Sequence, residues 1–330
     1  MHAAVTGGTG FLGANLAQVL EASDAVAQVT VFGLPGSETQ YLAPCAKATF
    51  VAGDITDAED VAAALAPRPP PGGGNPVPID VVFHLCGDTS FWKPLYARQA
   101  AINIGGTRNV IAAARAAGIP RLIHTSTADV ELEPMPADYN YGETKREAEA
   151  EALAADSPLM CVVALRPGML VGPYDFTLQF GRLFINLAAG DVPAIPCGGT
   201  SVACVRAVAA AHLAAATAPA DLVGGRAFAL GGHNVSYAEV FAAIARRVEV
   251  PPPRCVLPQF ALVGYAWVVE LWATWVSRVH PELNPGQARY MSISHEVDSS
   301  GAAAALGYTV PTLDDILDSA HEWYVANGFM

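Results

Sequence analysis

The sequence predicts an α/β fold: a doubly wound parallel sheet in the first half, then a smaller, mostly helical C-terminal lobe. Three observations lead there. Short β-rich runs alternate with alanine-rich helical stretches, a glycine turn follows the first of those runs, and the rhythm changes after Pro173. The runs are apolar nearly throughout rather than at every second position. Such strands must be covered on both faces, as helices cover a parallel sheet.

In chain order, "HAAVTG" reads as a strand and "FLGANLAQVLEAS" as a helix, followed by strands "QVTVFG" and "ATFVAGD". The helix "DAEDVAAALA" leads to a fourth strand, "DVVFHLCG", and "GGTRNVIAAARAAG" leads to a fifth, "RLIHTST". "TKREAEAEALAA" is a helix and "MCVVALRPG" a sixth strand. Between them, "PRPPPGGGNPVP" (67–78) is expected as a solvated loop, neither helix nor ladder strand, because proline lacks the N–H that both need. The sheet domain is expected over 1–172 and the lobe mainly over 173–330, with "RAFALGG" (226–232) returning one more strand to the sheet. Residues 260–276, "FALVGYAWVVELWATWV", are apolar all round except for Glu270 and slightly short for a bilayer span. A buried or ligand-lining helix is the main expectation there, and membrane attachment the lesser one.

Composition sets the outer bounds. Of 330 residues, 52% are hydrophobic and 15% charged, enough for a substantial core and unlike a disordered chain. A net charge of −13 with no basic cluster argues against a nucleic-acid partner. No charged-then-apolar leader precedes the first strand, so a cytoplasmic location is expected. The six cysteines are scattered, with no Cys-x-x-Cys and no histidine at ligand spacing. They are expected as buried free thiols in a reducing compartment, and no metal site is expected.

Two local patterns carry chemistry. The stretch "DYNYGETK" (138–145) holds two tyrosines and a lysine. A phenol titrates near pH ~10, so it is a sluggish acid unless a neighbour stabilises its anion. Tyr141 has Lys145 one helical turn on, whereas Tyr139 has Glu143 at that spacing, a like charge that opposes ionisation. Tyr141 is therefore the candidate proton donor, against the plain alternative of a partly buried helix tyrosine. The second pattern is "VTGGTGFLGANL", which places Gly7, Gly10 and Gly13 between a strand and a helix. Gly7 permits the tight turn, Gly10 lets backbone approach a pyrophosphate, and Gly13 allows close helix–sheet contact. The first N–H groups of the helix then hold the anion.

The Gly-x-x-Gly-x-x-Gly spacing, taken with Tyr141-x-x-x-Lys145, resembles the extended short-chain dehydrogenase/reductase superfamily, built on the Rossmann fold. "GDIT" (53–56), "HLCG" (84–87), "NIGGTRN" (103–109), "HTSTADV" (124–130), "RPGMLVGP" (166–173) and "LGY" (306–308) resemble further motifs of that family in the right order. The likeness covers nearly the whole chain. Its nearest branch is that of dihydroflavonol reductases and 3β-hydroxysteroid dehydrogenases, relatives of the NAD-dependent epimerases/dehydratases. The resemblance implies a nicotinamide dinucleotide touched by Gly7, Thr9, Gly10, Phe11, Leu12 and Gly13, and by Asp54 and Ile55 beside the adenine. It adds Leu85, Cys86, Gly87, Asn103, Thr125, Tyr141, Lys145, Pro167 and Gly168. It also implies that Lys145 binds the nicotinamide ribose and lowers the Tyr141 pKa. Tyr141 then exchanges a proton with the substrate oxygen while hydride moves, and Thr127 hydrogen-bonds that oxygen. Thr125 and Ser126 stand close enough to contest the last role.

Two departures from the family pattern matter. Where an Asp would select NAD, or an Arg NADP, the second strand ends in Gly33 and Leu34. With no carboxylate to repel a 2′-phosphate, and Ser37 near enough to contact one, the sequence favours NADP over NAD. In "VACVRAVAAAHLAA" (202–215), Arg206 and Ala207 replace residues that are usually acidic, which either alters lobe packing or adds a cation beside the substrate.

The leading functional expectation is an oxidoreductase interconverting a secondary alcohol and a ketone on a bulky, fairly apolar small molecule, steroid-like or flavonoid-like. Phe91, Trp92, Phe176, Phe180, Trp267 and Trp272 could line its pocket or simply fill a core. The alternative is a nucleotide-sugar epimerase or dehydratase with tightly held NAD, for which the second half offers arginines but no lysine. A third class, a binding protein that kept the fold and lost the chemistry, is opposed by the complete Thr127, Tyr141 and Lys145 set. The oligomeric state stays open, a homodimer included.

Overall fold

The computed structural model describes residues 1–279, 281 and 283–330. The first half runs β1 (His2–Thr6), α1 (Phe11–Ala22), β2 (Gln28–Gly33), β3 (Ala48–Ala52), α2 (Ala58–Ala64) and β4 (Val81–His84). It continues through α3 (Tyr96–Ala100), α4 (Gly106–Ala116), β5 (Arg121–Thr125), α5 (Asn140–Leu153) and β6 (Cys161–Pro167). The second half opens on β7 (Met169–Val171), α6 (Gly181–Ala189), β8 (Ile195–Pro196), β9 (Gly199–Cys204), α7 (Val205–Thr217) and α8 (Ala220–Val223). Then come β10 (Arg226–Leu230), β11 (His233–Ser236), α9 (Tyr237–Arg247), β12 (Val256–Leu257) and α10 (Gln259–Trp272). The chain closes with α11 (Pro285–Tyr290), α12 (Ser300–Leu306) and α13 (Leu313–Ala326).

Seven strands form one sheet in the order β3-β2-β1-β4-β5-β6-β10, every neighbour parallel. This is the doubly wound arrangement, with its reversal of strand order between β1 and β4. β1, β2 and β4 are buried along their whole length, which is why they read as continuous apolar runs. One face carries α1 and α7 over a core that includes Val5, Leu16, Val31, Val208 and Leu230. The other carries α2 and α4 over Phe32, Val61, Val82, Val110 and Leu122. Local chemistry agrees with the ends of these elements. Asp57 caps α2 by accepting from the Glu59 and Asp60 amides, and Ser236 with Glu239 forms a capping box on α9.

The lobe adds a three-stranded sheet, β11-β9-β7, and a short β12-β8 pair to its helices. The expected returning strand is β10, paired with β6. α7 returns as well, packing on α1 in the first half's core.

Residues 67–78 form the expected solvated loop, with neither helix nor ladder strand; an isolated antiparallel bridge joins Arg68 and Val77, and Gln28 donates to the Pro69 carbonyl. Two expectations are corrected. The cysteines are all free, but only Cys45 and Cys204 are buried, while Cys197 and Cys255 are exposed. The helix at 260–276 is neither buried nor a lining of the cavities described below, because only its Leu262, Ala266 and Ala273 side is covered.

Candidate active site

The turn after β1 does what its glycines require. Gly7 has a φ of +69°, and a Cβ there would lie 2.6 Å from the Cys86 backbone, where the chain leaves β4. A Cβ on Gly13 would lie 2.5 Å from the Gly8 carbonyl oxygen, so both positions exclude a side chain. Gly10 is crowded only by the Gly7 carbonyl at 3.3 Å, and no side chain caps α1. The first amides of that helix are thus left for an anion. Phe11 and Leu12 bury their side chains in the core, so only their backbone faces the turn. Thr9 lies under β2, where a Cβ on Gly33 would come within 2.8 Å of its Oγ1.

A groove of about 660 Å3 extends from this turn, lined by Gly7, Gly33, Leu34, Asp54, Ile55, Cys86 and Gly87. Burial pushes the Cys86 thiol up to about 11, so it stays protonated at neutral pH. Asn103 is buried with its polar atoms engaged: it donates to the Asp88 carbonyl and Thr144 Oγ1 and accepts from the Asp88 amide. It ties the loop after β4 to α5. The groove has the shape and the open amides that a dinucleotide needs.

A second cavity, of about 520 Å3, meets the groove at Thr89, which lines both. Thr127, Asp129, Tyr141, Pro167 and Gly168 line one part of it, and Phe91, Met169, Leu170, Phe180, Leu183 and Phe241 are among its apolar walls. Among the described residues, no arginine or lysine lines it.

The three hydroxyl candidates after β5 separate by direction. Thr125 turns to the α7 side, where its Oγ1 lies 2.8 Å from His212 Nε2, and its carbonyl accepts from Lys145 Nζ at 2.6 Å. Ser126 is buried, with no side-chain partner. Thr127 faces the cavity together with Tyr141, and its hydroxyl acts on the Tyr141 phenol. Tyr141 stands in the first turn of α5 with Lys145 one turn on, both at the carboxyl edge of the sheet.

The electrostatics depart from one expectation. Burial pushes the Tyr141 phenol up from its ordinary value and the Asp129 carboxylate adds to this, while the Thr127 hydroxyl pulls it down. Lys145 is not among the groups that shift it, because its ammonium is turned to the Thr125 carbonyl. Burial holds Lys145 down at about 8, against the opposing pull of Cys86 and Glu149. Tyr139, the rejected candidate, is fully buried and donates to Asp129 Oδ2 at 2.6 Å.

Asp129 falls within the "HTSTADV" stretch, but nothing in that stretch signals its role. It is 7% exposed, accepts from Tyr139 and from Tyr290 (3.0 Å), and has His295 Nδ1 at 3.3 Å. Tyr139 and Tyr290 stack with centroids 4.8 Å apart, and Phe91 lies 5.2 Å from Tyr139. Only the fold brings these together, since Tyr290 is 161 residues from Asp129. Of the other aromatic candidates, Phe176 packs on Tyr41 and Trp323, and Trp267 and Trp272 point outward. Arg206 is exposed and lines neither cavity, so it adds no cation there.

With this geometry, a groove shaped for a dinucleotide and the candidate phenol Tyr141 meet at one sheet edge, as in a nicotinamide-dependent enzyme of the extended short-chain type. The chain belongs to the NAD dependent epimerase/dehydratase family, whose model matches residues 3–231. A relative from Synechocystis sp., carrying the provisional name dihydroflavonol 4-reductase, is 26% identical over 99% of this chain and 95% of its own. The 3-beta-hydroxysteroid dehydrogenase of Mycolicibacterium neoaurum is 32% identical over 57% of this chain and 52% of its own, so the chain matches about half of that relative. Among solved structures, gox2253 aligns with a TM-score of 0.79 and 26% identity over 99% of both chains. MoeE5, solved with UDP-glucuronic acid and NAD, aligns at 0.74 and 21% over 99% of this chain and 100% of its own, a likeness of fold.

Proposed function

We propose that this enzyme interconverts a secondary alcohol and a ketone on a bulky, fairly apolar small molecule, steroid-like or flavonoid-like. The observation that carries the reading is the 520 Å3 cavity, with Thr127 and Tyr141 among apolar walls and, among the described residues, no lining arginine or lysine. The names of the dihydroflavonol and hydroxysteroid relatives support it. Gly7, Gly10 and the first amides of α1 would hold the pyrophosphate, Asp54 and Ile55 would flank the adenine, and Lys145 would hold the nicotinamide ribose. The cofactor, when bound, supplies or takes up the hydride. In oxidation Tyr141 accepts the hydroxyl proton of the substrate, and in reduction it returns one to the carbonyl oxygen. Thr127 holds that oxygen within reach of the phenol. With Gly33 and Leu34 at the end of β2, NADP is the favoured form, drawn from the cytoplasmic pool.

A nucleotide-sugar substrate is the second reading. Arg98 and Arg182 line a smaller cavity of about 400 Å3 beside Phe91, where a diphosphate would find cations. Oxidation of NADPH and NADH with steroid-like, flavonoid-like and small carbonyls tests the first reading. Turnover of UDP-sugars without net redox change, and no carbonyl reduction, would replace it with the second.

A further inference from the structure

Helix α10 and the turns that extend it form a continuous helical segment, Gln259–Ser277, of 19 residues, about 28 Å long at ~1.5 Å per residue. Its inner side meets α11 through a small cluster, Leu262 and Ala266 against Ala288. The opposite side faces out: Phe260, Tyr265, Trp267, Trp272 and Trp275 are 47–80% exposed. At roughly 100° per residue, these and the leucine and valines between them cover about half of the helix circumference. The apolar area they expose is on the order of 1,000 Å2, against roughly 300–600 Å2 for the largest patch of an ordinary monomer.

We propose that this helix docks sideways on a lipid bilayer of neutral headgroups, with its aromatic arc at the boundary between headgroups and acyl chains. The polar groups of the arc decide between lipid and protein as its occupant. A second copy of the chain would need a hydrogen bond for about every 100–200 Å2 covered. The arc offers three indole N–H groups and one phenol O–H, the groups that settle at headgroup depth in a bilayer. Exposed arginines stand near both ends, Arg254 and Arg278, where lipid phosphates would lie. The whole chain carries −13, so an anionic surface would repel rather than recruit it. The segment lies on the bilayer and does not span it, because its inner side is held on α11. Met291 belongs to the same cluster and also lines the 520 Å3 cavity, which puts the inner side of the helix one side chain from that cavity. The proposal concerns a surface and holds whichever reaction the site performs.

Flotation of the full chain with phosphatidylcholine vesicles tests it. The wild-type chain is expected to float, to keep floating at high salt, and to lose indole fluorescence to brominated acyl chains. Trp267→Ser, Trp272→Ser and Trp275→Ser combined should lower the partition coefficient at least tenfold without changing the melting temperature. A wild-type chain that stays unbound, that binds only anionic vesicles at low salt, or whose fluorescence ignores brominated lipid would overturn the proposal. So would a wild-type dimer that the same substitutions dissociate and that does not bind vesicles.

Discussion

At the carboxyl edge of the sheet Lys145 is 4% exposed, and His84 and His124 are 1% and 0%; on α10, Phe260 is 80% exposed and Trp275 76%. The first region holds ionisable groups in dry surroundings, and the second holds large apolar side chains in water. Both arrangements cost folding free energy. What differs is how each is offset. Of the dry groups, Lys145 and His84 keep hydrogen bonds within the chain, to Thr125 and to Thr6 and Thr107. Among the described residues the outer helix has no such compensation, so its offset lies in what it touches. A misplaced polar group therefore points to chemistry, and a misplaced apolar arc points to contact.

The comparison can be broken most strongly at Tyr141. If the dry edge exists for proton transfer, Tyr141→Phe should lower turnover by roughly 10^3-fold, as loss of a positioned acid does, with thermal melting unchanged. Carbonyl reduction and melting measured on the same preparation check this. A variant with near-normal turnover would leave the phenol a structural residue.

Next in size is Lys145→Met. The folded pKa is about 8 against an ordinary 10.5, so between these values the unfolded chain binds more protons. Stability from this group therefore rises with pH by roughly 1.4 kcal/mol per unit through that window, and the deficit is fully present below it. The variant lacks the deficit. Its stability relative to wild type should be highest below pH 8 and fall by a few kcal/mol toward pH 10, read as paired denaturant titrations. The loss of the bond to the Thr125 carbonyl shifts both ends equally.

His124 gives a smaller effect of the same sign. Its imidazole is held well below 6.5 by burial, and neither ring nitrogen has a partner among the described residues. Below pH 6.5 the unfolded chain takes up a proton that the folded chain refuses, so acid removes stability. His124→Leu should then be more stabilising at pH 5 than at pH 8 by about 2 kcal/mol, since one pKa unit is roughly 1.4 kcal/mol. Equal shifts at both pH values would show that burial is not what controls the imidazole.

The smallest expected change sits on the outer helix. Trp272→Ser with Trp275→Ser should alter unfolding stability by less than about 0.5 kcal/mol, because neither ring is covered in the fold. A loss of several kcal/mol in urea would mean that the arc is packed against something in solution and would erase the contrast.

Much of the site was legible because it is local. The glycine turn announces itself by spacing, since a Cβ at position 7 or 13 would collide with backbone a few ångströms away. Tyr141 and Lys145 share a face through the helical repeat alone. The resemblance put Thr127 at the hydroxyl position, but the residues alone did not separate it from Thr125 and Ser126. That choice depends on which way each hydroxyl leaves the end of β5, and the packing of α7 with His212 settles it for Thr125. Tyr290 and His295 gave no signal at all, and the role of Asp129 gave none, because their meeting depends on the lobe folding back across the sheet edge.

The chain alone determined that a parallel sheet would form, where its phosphate turn would lie and which tyrosine would carry the lysine. These follow from backbone sterics and short-range periodicity. The tertiary structure decided which apolar helix is covered. α7 is rich in alanine and lies close on α1, whereas α10 carries bulky aromatic rings that the described residues leave largely exposed. Hydropathy records how strongly a segment avoids water, and only the positions of the other elements determine what shields it.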